Sequence, residues 1–212
     1  CYAQSENKDY SGELSADEGK ALLRDIAAWG CKVILFSGGE PLMRQGILPL
    51  VEYAAELGLR PVFSTNGTLL DAEAVKVFKK AGLAYAGVSI DGLEQTHDRF
   101  RGERGAFARS MAGVRNCLAA GVKVGVRFTI SKMNQQDLPG IFDLIVTEGV
   151  PRFCMYHLVY SGRGSKLMEA DQTHADARAS MDLLMDRSLA LHQAGNPVEV
   201  LTVDNHCDGP FL

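Results

Sequence analysis

Residues that could carry chemistry recur at regular intervals. The stretch SGGEP (Ser37, Gly38, Gly39, Glu40, Pro41) joins two glycines to a carboxylate. Paired glycines let a ligand come close to backbone N–H and C=O groups, and a carboxylate beside them can receive an ammonium group. A tight strand-to-helix turn explains the same residues, and a phosphate nest is a third reading. The sequence has neither G-x-x-x-x-G-K-[ST] nor G-x-G-x-x-G, and Glu40 would repel a phosphate. STNGT around Asn66 reads as an Asn-Gly turn or a polar strand end. SID offers the Ser89 hydroxyl beside a carboxylate, and RFRG offers Arg99 and Arg101 either as a carboxylate clamp or as a solvated loop pair. Arg127 interrupts the apolar run GVRFTI, where strand parity turns it toward the interior of the fold. YHLVYSGRG supplies Tyr156, His157, Tyr160 and Arg163, and DNHCDG supplies His206. His157 could equally be a satisfied core histidine.

These groups follow candidate strands. SADEGKALLRDIAAWG has Ser15 as an N-cap, Glu18 three residues on, Leu22, Leu23 and Ile26 on one face, and Gly30 as a stop. A short β-branched run, KVILFS, comes next, and the helix–strand cycle then repeats as far as a strand RFCMYHLVY (Arg152 to Tyr160), with helices ending at Gly58, Gly82, Gly121 and Gly149. The strands are short and almost continuously apolar, as parallel strands covered on both faces are. This predicts an α/β fold with a curved parallel sheet forming a full or partial barrel, with a doubly wound open sheet as the alternative. In either fold the site lies at the carboxyl ends of the strands, where the motifs fall. Residues 1–165 read as the core, and 166–212 as a long helix and a last strand.

The chain has 212 residues and a net charge of −4, with no long basic run, which argues against a nucleic-acid partner. No stretch is apolar enough for a membrane span and no signal peptide is evident, so the expectation is a soluble, cytoplasmic protein without a membrane partner. Five scattered cysteines fit a reduced protein, four of them reading as small buried residues.

Taken together, Cys1-Tyr2, GGEP, STNGT and SIDG resemble the radical S-adenosylmethionine (SAM) enzymes, and CYAQ, LFSGGEPL, STNGTL, SIDGLEQTHDRFRG, YHLVYSGRGS and LTVDNHCDGPF are similar to their haem-biosynthesis branch. The resemblance implies a partial TIM-type barrel and a [4Fe-4S] cluster held by C-x-x-x-C-x-x-C, of which Cys1 is the third thiolate. It also implies a first strand and two cluster cysteines upstream, and a C-terminal extension that can hold an auxiliary iron–sulfur cluster. Ser37, Gly38, Gly39 and Glu40 would meet the methionine amino group of SAM, and Ser89, Arg101 and Asn66 its carboxylate or ribose. Arg127, Tyr156, His157, Tyr160, Arg163 and His206 would meet a tetrapyrrole. The implied reaction is reductive cleavage of SAM, fed by ferredoxin or flavodoxin, that drives loss of two acetate side chains from didecarboxysiroheme. Open alternatives are a haem d1 or peptide-modifying enzyme of the family, an aldolase-like barrel with Lys132 as Schiff-base lysine, and a non-catalytic tetrapyrrole-binding module.

Overall fold

The computed structural model describes Tyr10, residues 12–205 and residues 207–211. Along it run α1 (Ala16–Ala28), β1 (Val33–Phe36), α2 (Ile47–Glu56), β2 (Arg60–Thr65), α3 (Ala72–Lys80), β3 (Tyr85–Ser89), α4 (Glu94–Arg101), α5 (Ala106–Ala120), β4 (Lys123–Thr129), α6 (Leu138–Glu148), β5 (Arg152–Tyr156), α7 (His174–Gln193), β6 (Glu199–Val203) and α8 (Asp208–Phe211). The strands form one six-stranded sheet, all parallel, in the order β1-β2-β3-β4-β5-β6. Strand order equal to chain order is what repeated crossovers of one hand produce. It excludes the doubly wound alternative, in which the order reverses at a switch point. The fold is a partial barrel, open between β1 and β6 among the described residues. Because β6 pairs with β5, the segment after residue 166 completes this same sheet.

Local chemistry sets the element boundaries. Ser15 and Glu18 form the expected capping box on α1, Thr173 and Asp176 form another on α7, and Asp71 caps α3. Gly30, Gly58, Gly82, Gly121 and Gly149, read as stops, all have positive φ. On the outer face of the sheet Phe63, Val88, Val126, Phe128 and Phe153 are fully covered by the helices. Full burial of each such side chain contributes roughly 1.5–3 kcal/mol. The opposite parity, Ser64, Gly87, Ser89, Arg127 and Tyr156, therefore faces the concave side.

Four sequence readings are corrected. RFRG is not loop: Arg99 and Arg101 lie in the last turn of α4, a helix with too little apolar periodicity to be read from its sequence. The strand read as running from Arg152 to Tyr160 ends at Tyr156. Leu22 lies 48% exposed on α1 while its neighbour Leu23 is buried, because the stripe that meets α2 is narrower than expected. Cys31 and Cys207 are exposed; Cys117 and Cys154 are the buried ones.

Candidate active site

The loop after β1 is the first wall of a cleft at the carboxyl ends of the strands. Gly38 has φ +127, a conformation that strains any side chain, and the space where its Cβ would stand is open. Glu40 begins a 3-10 turn over Pro41–Met43 and ties this loop to the next one. Its Oε1 accepts from Thr65 Oγ1 at 2.6 Å and from Leu42 N at 3.2 Å, and its Oε2 accepts from Asn66 N at 2.7 Å. Thr65 Oγ1 in turn accepts from Gly67 N at 3.0 Å, and Asn66 Oδ1 accepts from the backbone and hydroxyl of Thr68, both at 2.8 Å. Glu40 and Asn66 thus build the site first. What the first loop leaves open to a ligand is the Gly38–Gly39 backbone and the Ser37 hydroxyl, with the remaining acceptor capacity of Glu40.

The second wall is built on β3 and α4. Ser89 and Arg101 both line the cleft. Asp91, 2% exposed, accepts from Arg101 Nη2, and its Oδ1 accepts from Thr129 N at 3.1 Å. Its own backbone N–H donates to His97 Nδ1 at 3.0 Å, and its carbonyl accepts from Asn134 Nδ2 at 3.0 Å. The arrangement fixes His97 as an Nδ1 acceptor. Burial, reinforced by the charge of Arg101, holds the imidazole pKa below its ordinary value. Asp98 anchors the far end of α4, accepting from Gly105 N at 2.5 Å and Phe107 N at 2.8 Å. These two backbone bonds hold its carboxyl below the usual range. Polar contacts therefore position α4: the SID carboxylate, Asp91, holds Arg101 and Thr129 N, and His97 is a positioning residue that the motifs did not single out.

The third wall comes from β4, β5 and the chain beyond β5. Arg127 donates to Ser64 Oγ, and its guanidinium lies 4.5 Å from the centre of the Tyr156 ring. Burial raises the Tyr156 phenol pKa, which the neighbouring Arg127 charge opposes. His157 Nε2 sits 3.0 Å from Asp208 Oδ2, and His157 and Arg163 both line the cleft. Tyr160 does not reach the cleft: it donates to Asp171 and is 48% exposed, because the strand has already ended. Lys132 is exposed and bonds the Glu169 carbonyl at 3.3 Å, outside the cleft, which removes the Schiff-base reading. Cys1 and His206 lie outside the described residues.

The cleft measures about 1720 Å³. Small-molecule pockets usually measure roughly 300–1,000 Å³. SAM fits the donor set: backbone at Gly38–Gly39 for its amino group, hydroxyls at Ser37 and Ser89, and a cation at Arg101. Among the described residues no group of three or more His, Cys, Asp or Glu side chains could hold a metal. Burial raises the thiol pKa of Cys154 and pushes that of Cys117 up to about 11, so neither is poised as a thiolate ligand.

The sequence pattern of the radical SAM superfamily matches residues 1–145. The chain is 54% identical over its full length to Fe-coproporphyrin III synthase of Methanosarcina barkeri, covering 53% of that protein. It is 40% identical over its full length to pre-heme d1 synthase of Dinoroseobacter shibae, again covering 53%. With PqqA peptide cyclase of Gluconobacter oxydans the identity is 30% over 99% of the chain and 58% of that protein. The chain thus spans about half the length of these relatives. Two solved structures share the fold. Streptococcus suis SuiB bound to precursor peptide SuiA superposes with a TM-score of 0.80 at 18% identity, over 97% of this chain and 46% of that one. For native anSMEcpe with bound AdoMet the TM-score is 0.75 at 17% identity, over 94% and 59%.

Proposed function

The chain belongs to the radical SAM superfamily, and from that premise we propose that its parent protein is a haem-biosynthesis enzyme that removes two acetate side chains from didecarboxysiroheme to give Fe-coproporphyrin III. The observation that carries this reading is the 54% identity to a synthase named for that product, which runs over the whole chain and so includes the third wall of the cleft. The size of the cleft supports it as well, since SAM and a tetrapyrrole must lie in it together.

SAM and a [4Fe-4S] cluster, the cofactors of this superfamily, supply a carbon-centred radical that takes hydrogen from the substrate. The residues of this chain position the reactants. The Gly38–Gly39 backbone accepts from the methionine ammonium, while Glu40 keeps the loop in register with Asn66. Ser89 and Arg101 take the carboxylate or ribose, with Asp91 holding Arg101 in place. Tyr156, His157 and Arg163 face the tetrapyrrole and its carboxylates. Cys1 is the third thiolate of the cluster. A ferredoxin or flavodoxin delivers the electron, and an auxiliary iron–sulfur cluster lies in the C-terminal part of the parent protein.

The test uses the full-length protein, reconstituted anaerobically with iron and sulfide and given SAM, a low-potential reductant and didecarboxysiroheme. Mass spectrometry is expected to find 5′-deoxyadenosine and a tetrapyrrole that has lost two acetates. Cleavage of SAM with the tetrapyrrole unchanged would overturn the substrate. A product carrying the haem d1 side-chain pattern would move the protein to the activity of its 40%-identical relative.

A further inference from the structure

Arg127 presents a cation in the cleft whose side-chain contacts are a hydroxyl and a phenol ring. Its Nη1 donates to Ser64 Oγ, and one face of the guanidinium lies against the Tyr156 ring. Both are uncharged partners. Three other acidic side chains of the cleft are committed elsewhere: Glu13 to Arg44, Glu40 to Thr65, Asn66 and Leu42, and Asp91 to Arg101 and Thr129. Asp204 also borders the cleft, acts electrostatically on Tyr156 and has an interaction partner. A guanidinium keeps its charge at any pH a protein tolerates, and one removed from bulk water without a counter-charge is costly.

The surrounding backbone makes room for this cation. Gly87 stands on β3 beside Arg127, and a Cβ there would come within 2.7 Å of Arg127 Cδ. Gly87 has no positive-φ conformation that would call for glycine on backbone grounds. Its lack of a side chain serves the arginine. Tyr156 stacks on a face of the guanidinium and bonds it through the phenol, and Ser64 accepts from Nη1; of the five N–H groups of a guanidinium, others remain for a planar, two-pronged acceptor.

We propose that Arg127 is a built receptor for a ligand carboxylate, held flat by Tyr156 and Ser64 and given its space by Gly87, and that in the cleft this carboxylate belongs to the tetrapyrrole. The proposal rests on the substrate class argued above. Two carboxylates could reach the cleft, that of the tetrapyrrole and that of the methionine end of SAM, so each is measured separately in the full-length reconstituted protein. Fe-coproporphyrin III is titrated by its visible absorption, its tetramethyl ester serves as a charge-free control, and SAM is titrated by calorimetry.

Arg127→Gln is expected to weaken Fe-coproporphyrin III by about 10- to 100-fold, with SAM affinity and ester affinity unchanged. Arg127→Lys should recover part of the loss. Gly87→Ala should reproduce the loss with Arg127 still in the chain, which a purely structural arginine would not predict. Circular dichroism establishes that each variant is folded. A loss confined to SAM would overturn the tetrapyrrole assignment, and no loss in either titration would overturn the receptor itself. Absence of Fe-coproporphyrin III binding in the unmutated protein would overturn the substrate class and this proposal with it. Retained binding that ignores Arg127 would overturn this proposal alone.

Discussion

Glu40 joins two loops through one carboxylate, and that makes Thr65 a sensitive probe of the proposed SAM side of the cleft. Thr65→Val keeps the shape but removes the donor to Glu40 and the acceptor for Gly67 N. A hydrogen bond to a charged group contributes about 1.5–3 kcal/mol, so urea unfolding should show a loss of that order, and calorimetry a several-fold weaker SAM. Asp91→Ala removes the acceptor of Arg101 and of Thr129 N, and because Arg101 itself stays open to solvent, urea unfolding should show a loss of about 1.5–3 kcal/mol. His97 gives a pH signature. Its pKa is lower in the fold than in the unfolded chain, so the unfolded state binds the extra proton. That contribution to stability is complete above about pH 6.5 and declines as the pH falls toward the folded value. Denaturation midpoints measured from pH 7 to pH 5.5 should therefore fall more steeply in the native chain than in His97→Gln, whose amide oxygen can still accept from Asp91 N. GGEP, STNGT and SIDG could be read from the sequence because each stands at the end of an apolar run. The partnership of Glu40 with Thr65 and Asn66 could not, since it depends on two strand ends meeting across 25 or 26 residues of chain.

At the level of elements, α5 clamps the loop after β2 without entering the cleft. Ser110 Oγ donates to the Asn66 carbonyl at 2.7 Å, and Asn116 Nδ2 donates to the Leu70 carbonyl at 2.8 Å. Gly113 lets the helix approach so closely that a Cβ there would stand 2.2 Å from the Gly67 carbonyl oxygen. Gly113→Ala gains up to about 1 kcal/mol in helix propensity, but the clash is with backbone that cannot rotate away, and overpacking costs about 1–3 kcal/mol. The clash should win, so thermal unfolding is expected to show a lower Tm, and calorimetry weaker SAM binding through a residue outside the cleft lining. Helix α5 was legible from its periodicity and its terminal Gly121. Helix α4 was not, because its only buried residue is His97 and its anchors, Asp91 and Asp98, act through backbone N–H groups and an arginine.

For the molecule as a whole, the predicted class and parallel pairing follow from repeated βα units, and sequential strand order follows from their single handedness. The size of the cleft was not legible, since it depends on sheet curvature and on the chain after β5 folding back over the mouth. A cleft of about 1720 Å³ predicts that the two ligands share it without excluding one another. Titrating Fe-coproporphyrin III into the full-length protein with and without saturating S-adenosylhomocysteine should give similar affinities, and mutually exclusive binding would refute this.

Sequential strand order also makes the chain a linear map of the cleft. The candidate SAM residues run from Ser37 to Arg101, and the candidate tetrapyrrole residues from Arg127 onward. The superfamily pattern ends at residue 145, before β5 begins. The proposed assignments would thus separate reagent from recognition along the gene. With those assignments, exchanging the coding sequence from Arg127 onward is expected to change what is held while leaving intact the strands proposed to hold the reagent.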